Sequence, residues 1–168
     1  MCYSNMILAL GPERFAGRLA DAGAAGAIVP DMPLDEAAEV REALAGRELA
    51  LVPLVAPTTP PERRRRICEA ASGFVYVVSD VGTTGEREAL PAGLAELVDA
   101  VRDGCDVPAA VGFGIGDPGQ AAEVGRVADG VIIGSKLVRL AGEAPSAEVA
   151  AEQVSDFLRR TRAALAKG

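Results

Sequence analysis

Six short apolar runs, each followed by a segment of helical character, recur along this chain, and that alternation limits its folds more than any other feature. The runs lie in "CYSNMILAL", "GAIVPD", "LALVPLVAPT", "GFVYVVS", "VPAAV" and "GVIIGS". Most are continuous stretches of Val, Ile, Leu and Ala rather than apolar–polar alternations, which is how a strand covered on both faces reads. The first is read as a strand running into a loop. The helical segments carry their own punctuation. "PERFAGRLADAG" places Phe15 and Leu19 on one face and ends near Gly23; "LDEAAEVREALAG" repeats the spacing with Val40 and Leu44. "DPGQAAEVGRVA" starts with Asp117 as N-cap and Pro118 at the first helical position. Ser146 opens the last helix, where Val154, Phe157, Leu158 and Leu165 share a face. Strands covered on both faces and alternating with helices mean an α/β fold with a parallel sheet. Two architectures fit, an open doubly wound sheet or part of a (β/α)8 barrel; a complete barrel takes about 250 residues, and this chain has 168. No linker or low-complexity tail interrupts the pattern, so residues 1–168 read as one domain.

Composition removes several function classes. The net charge of −7 argues against a nucleic-acid surface. No apolar run is long enough to span a bilayer, and the segment after Met1 lacks the basic start of a secretory signal; the expected location is cytoplasmic. Cys2, Cys68 and Cys105 have no metal-ligand spacing and are odd in number, so they read as small side chains in a reducing compartment rather than a disulfide framework. The chain has no histidine, which removes the commonest general base and most zinc sites. No metal is expected.

In parallel α/β folds ligands bind beyond the C-terminal ends of the strands. The residues there are Tyr3 to Asn5, Asp31, Pro57 to Thr59, Ser79 to Gly85, Gly112 to Gly116, and Gly134 with Ser135. The stretch "PAAVGFGIGDPGQ" places Gly112, Gly114 and Gly116 between a strand and a helix start, where backbone can approach a ligand and a helix N-terminus offers free N–H groups. A second glycine-rich end, "IIGS", follows in the next unit. Either alone reads equally well as a tight turn. In consecutive units they point to phosphate, which barrels commonly hold on their last two loops. "GTTG" reads as a lid or as a solvated loop. Asp31 either faces a ligand or orders the turn into its helix. Tyr76 is core packing or a site residue whose hydroxyl needs a partner if buried. Arg63 to Arg66 spread around a helix and read as a solvated face, a poor ligand clamp.

Taken in order, "YSN", "IVPDMP", "LVAPTT", "SGFVYVVSDVGTTG", "AAVGFGI" and "DGVIIGSKLV" resemble the tryptophan synthase alpha chain family from residue 1 to about residue 140. The resemblance implies a TIM (β/α)8 barrel, present as an incomplete barrel of about six strand–helix units. It implies a lyase that cleaves indole-3-glycerol phosphate to indole and glyceraldehyde 3-phosphate by a retro-aldol step, for tryptophan biosynthesis. No cofactor is implied on this chain; the PLP belongs to a partner beta chain, in an alpha2beta2 heterotetramer. By the match, Gly112, Gly114, Gly134 and Ser135 form the phosphate site, and Gly85 of the lid adds an amide. Tyr76 stands beside the catalytic carboxylate, Tyr3 and Ile28 line the indole pocket, and Thr84 pins the closed lid. Asn5, Pro57 and Thr58 face the beta chain.

The departures are as informative as the matches. The family's catalytic glutamate and its indole-orienting aspartate come from the first two strand–helix units, which have no counterpart in these 168 residues, as a gene start placed late or a real truncation would produce. No acidic residue here matches either position, so the chain alone is expected to be inactive. Thr83 stands where the family usually has valine. The other readings are a catalytically dead docking partner of a beta chain and a different phosphate-binding barrel enzyme. The "VGTTG" lid and the lack of an obvious catalytic lysine or histidine weigh against the barrel enzyme.

Overall fold

The structure, a computed structural model, describes residues 1–79, 92–112 and 114–166. In chain order the elements are α1 (Ser4–Leu10), α2 (Pro12–Asp21), β1 (Gly26–Ile28), a 3-10 turn (Leu34–Glu36), α3 (Ala38–Ala45), β2 (Ala50–Val52), β3 (Leu54–Val55), α4 (Pro61–Glu69), β4 (Val75–Val78), α5 (Leu94–Arg102), β5 (Ala109–Gly112), α6 (Pro118–Gly125), β6 (Gly130–Ile132), α7 (Ser135–Glu143) and α8 (Ala147–Leu165). Hydrogen bonding orders the strands β1-β2 and β3-β4-β5-β6. β1 runs parallel to β2 with Gly26 opposite Ala50, and β5 runs parallel to β6 with Gly112 opposite Ile132.

The expected alternation is present from β1 onward, with two corrections. The opening "CYSNMILAL" is not a strand: Cys2 donates one strand-like bond to the Ile28 carbonyl, and helix α1 begins at Ser4. Asp31 causes this, accepting bonds from the Ser4 N–H (2.9 Å) and hydroxyl (2.7 Å) and so satisfying a donor of the helix start. Asp31 therefore orders a turn, but of α1 rather than of the helix that follows it. The second correction concerns "LALVPLVAPT", which forms two short strands, β2 and β3, divided at Pro53, a residue with no N–H to give to a ladder.

The described residues gather into two compact units. One takes Met1–Val55, Thr59–Tyr76 and Val101–Pro108; the other takes the described parts of Ala56–Thr58, Val77–Ala100 and Ala109–Gly168. In the first, Ile7, Ala16, Ala27, Val29, Val40, Ala43, Leu44 and Leu49 form the core, with Phe15 and Leu19 packed against it. The helical spacings of Phe15/Leu19 and Val40/Leu44 thus point inward as expected. Cys68 and Cys105 are joined by a disulfide, Cα–Cα 4.7 Å, which corrects the reading of all three cysteines as unpaired; Cys2 is free. In the second unit α8 packs on α6 and α7. Its inward face is narrower than expected: Phe157 is buried, Leu158 is 44% exposed, and Thr161 lies inside, donating its hydroxyl to the Phe157 carbonyl at 2.8 Å.

Candidate functional site

The two glycine-rich loops leave β5 and β6 side by side. Because Gly112 lies opposite Ile132 in a parallel pair, Gly114 and Gly134 each stand two residues beyond matched strand ends. Ser79, one of two buried polar residues among the described ones, anchors this edge: its N–H and its hydroxyl both donate to the Gly112 carbonyl, at 3.4 and 3.2 Å. At the other end of the pair, Asp129 accepts from the Ala109 N–H at 2.8 Å.

Helix α6 begins as the sequence dictates. Asp117 accepts from the Gly119 and Gln120 N–H groups, and the Gln120 side chain returns a bond to the Asp117 N–H, completing a capping box. The same Gln120 oxygen accepts from the Gly116 N–H at 2.8 Å. Of the three glycines in the loop, Gly116 therefore spends its amide on the loop itself. This role of Gln120 was visible in the sequence only as a capping-box spacing.

Helix α7 differs at its start. Gly134 is its N-cap and no side chain caps it. Gly134 and Ser135 are exposed, and a Cβ built on Gly134 meets no heavy atom within 4 Å. A helix of nine residues thus begins without a side-chain cap, with the positive end of its dipole at this end of the β5–β6 pair.

The remaining candidates lie as follows. Tyr3, Asn5, Ile28 and Tyr76 belong to the first unit, and Pro57 and Thr58 with the four phosphate-loop residues belong to the second. Tyr3 is 64% exposed, and Asn5, Pro57 and Thr58 are exposed. Ile28 is half-buried at the end of β1, where its carbonyl accepts from Cys2. Tyr76 is half-buried in β4, its N–H donating to the Pro53 carbonyl, and burial pushes its phenol pKa up. Thr84 and Gly85 lie outside the described residues. The bonds from Ser4 hold the Asp31 carboxyl below the usual carboxylate range. Of the four arginines, Arg65 pairs with Glu62 and Glu69, while Arg63 and Arg66 reach Asp35 at 3.1 and 2.6 Å. Among the described residues no three His, Cys, Asp or Glu side chains gather as a metal site, and no helix is long and apolar enough to cross a membrane.

Known proteins share this arrangement of chain. Residues 1–166 match the family described as the tryptophan synthase alpha chain. The chain is similar to the tryptophan synthase alpha chain of Chloroflexus aggregans, 51% identical over 150 residues, covering 89% of this chain and 56% of that one. Among solved structures it is similar to Mycobacterium tuberculosis tryptophan synthase (TM-score 0.77, 38% identity, 97% of this chain and 57% of that one). It is also similar to a variant tryptophan synthase alpha-subunit from Pyrococcus furiosus (TM-score 0.82, 31% identity, 96% and 64%). The chain spans less than two thirds of the length of each of these relatives. The chain belongs to the tryptophan synthase alpha chain family, whose α/β TIM-barrel fold it carries in part.

Proposed function

We propose that residues 1–168 act as one partial-barrel domain that supplies the phosphate-holding part of a tryptophan synthase alpha-type carbon–carbon lyase. The substrate is indole-3-glycerol phosphate, cleaved to indole and glyceraldehyde 3-phosphate. The C–C bond between the indole ring and the glycerol chain breaks, a proton is added to the ring carbon, and protons leave the indole nitrogen and a side-chain hydroxyl. Backbone amides at Gly114, Gly134 and Ser135 hold the phosphate, with Gly112 giving close approach and Gly85 adding an amide from the lid. Tyr3 and Ile28 line the indole side. Tyr76, its phenol kept neutral by burial, donates a hydrogen bond beside the carboxylate that performs the proton transfers. That carboxylate is not among these residues, so the 168-residue chain binds the phosphate end without turning substrate over. Thr84 pins the lid when it closes. The partner is a PLP-bearing beta chain in the cytoplasm, met through Asn5, Pro57 and Thr58; this chain needs no cofactor of its own.

The observation that carries this reading is the uncapped α7 N-terminus at Gly134–Ser135, beside the Gly112–Gly114 loop on a parallel β5–β6 pair. Free amides at a helix start suit a phosphate dianion. The test is titration of the 168-residue protein with glycerol 3-phosphate, followed by phosphorus NMR. Gly114→Val should weaken binding by at least about tenfold, because a side chain blocks the approach of the backbone. Ser135→Ala, which keeps the amide, should lose much less. Equal affinity of the native protein and Gly114→Val would place the phosphate elsewhere.

A further inference from the structure

A cleft in the first unit is lined by none of the residues assigned above to the phosphate, the indole or the beta chain. It opens between α3 and α4 over β2 and β3 and encloses about 330 Å³. Its walls are Val29, Leu34, Leu51, Pro53 and Ile67, and Arg41 of α3 and Arg63 of α4 also line it. Tyr3, Ile28 and Tyr76 do not. A space of this size falls at the small end of the range for ligand pockets.

The charges around it are not balanced. Asp31 lines the cleft and keeps its negative charge, both its oxygens accepting from Ser4. Arg63 is paired with Asp35, which is shared with Arg66, so two guanidiniums face one carboxylate. Arg41 forms no side-chain hydrogen bond or ion pair among the described residues. An apolar cleft with a partnerless, half-exposed guanidinium at its wall suits one ligand chemistry: an apolar body that fills the cleft and a carboxylate that the planar guanidinium grips through two parallel bonds. With Arg41, Arg63 and Arg66 set against Asp31 and Asp35, the excess of one positive charge matches a monoanion better than a phosphate dianion, which is the ligand assigned to the β5–β6 loops.

We propose that this cleft is a binding site for a small organic carboxylate with a compact apolar body, separate from the phosphate site and independent of the lyase reading. The probe is 4-phenylbutyrate, with the neutral 4-phenylbutanamide as its counterpart, titrated into the 168-residue protein and followed by amide chemical shifts. The acid should bind with a Kd on the order of 1 mM, as expected for so small a ligand, and the amide at least about tenfold more weakly. Arg41→Gln should weaken the acid about tenfold and leave the amide unchanged. Arg64→Gln, which removes the same charge from a residue that does not line the cleft, should leave both ligands unchanged. Ala70→Leu, which narrows the cleft, should weaken acid and amide alike. The proposal is overturned if acid and amide bind equally, if Arg41→Gln binds the acid like the native protein, if Arg64→Gln is as damaging as Arg41→Gln, or if the native protein shows no saturable binding.

Discussion

Replacing Gly26 by alanine should destabilise the protein through a clash with the backbone of the neighbouring strand. Gly26 opens β1 and pairs with Ala50 of β2. A Cβ placed there lands against the Ala50 carbonyl oxygen, well inside contact distance, and stands 2.9 Å from the Ala50 Cβ. Neither neighbour is the free end of a flexible side chain. Ala50 has little room to yield, because its methyl is also where a Cβ on Gly73 would fall, again at 2.9 Å, and its N–H is bonded to the Ala25 carbonyl at 3.0 Å. The backbone of β1 or β2 must therefore move. Overpacking costs about 1–3 kcal/mol, and a backbone clash belongs at or above the top of that range. At about 2–4 °C per kcal/mol for a chain of this size, the melting temperature should fall by roughly 6–12 °C. Circular dichroism during heating reads this directly. Gly142→Ala is the matched control: it lies in α7 with nothing within 4 Å of its added methyl, and should hold or raise the melting temperature. A Gly26→Ala protein that melts within about 2 °C of the native one would refute the steric argument.

Reduction of the Cys68–Cys105 disulfide, which closes a separation of 37 residues, should lower the unfolding free energy by about 4 kcal/mol on the chain-entropy account. Urea titrations with and without dithiothreitol measure it, and a Cys68→Ser/Cys105→Ser protein should ignore the reductant. The carboxyls of Asp31, Asp35, Glu62 and Glu148 all lie below their ordinary values, held there by Ser4, Arg66, Arg65 and Ser146. Their stabilisation is complete above the unfolded-state value of about 4 and is lost as pH falls through the lower folded-state values; the acid limb of a melting-temperature profile should become shallower in Asp35→Asn. Tyr76 behaves in the opposite sense. Its raised pKa keeps stability intact below about pH 10 and loses it as pH climbs through the folded value, so Tyr76→Phe should flatten the alkaline limb.

Local signals in the sequence were reliable. Asp117 with Pro118, and Ser146, mark helix starts because a cap acts on amides two or three residues away. The apolar runs from β1 onward read as strands because a continuous run of Val, Ile, Leu and Ala suits a strand covered on both faces, although one of them is split at Pro53. What escaped depends on partners distant along the chain. Helix α1 is written as an apolar run, and the acceptor that turns it helical at Ser4 is Asp31, 27 residues on. The pairing of Cys68 with Cys105 needs the end of α4 to meet the turn after α5, which no spacing rule states. At the candidate site, "IIGS" was legible as a glycine-rich strand end, whereas helix α7 that starts there, the diversion of the Gly116 amide to Gln120 and the two hydrogen bonds from Ser79 to the Gly112 carbonyl required coordinates. Leu158 shared a helical period with Phe157 but not its burial, because α6 and α7 cover only part of the α8 face.

On the proposed reading, these 168 residues hold the phosphate end of indole-3-glycerol phosphate, and the group that moves its protons is not among them. A positioned acid or base contributes about 10²–10⁴-fold to such a step. The chain has no histidine, the Tyr76 phenol is pushed away from ionisation at neutral pH, and both oxygens of Asp31 are engaged by Ser4. Holding substrate and transition state equally well does not raise the chemical rate. The direct measurement is indole release from indole-3-glycerol phosphate by the purified 168-residue protein, alone and with a beta chain. The expected result is no release above background in either case; turnover like that of a full-length alpha chain, abolished by Asp31→Asn, would contradict the account and make Asp31 the catalytic residue.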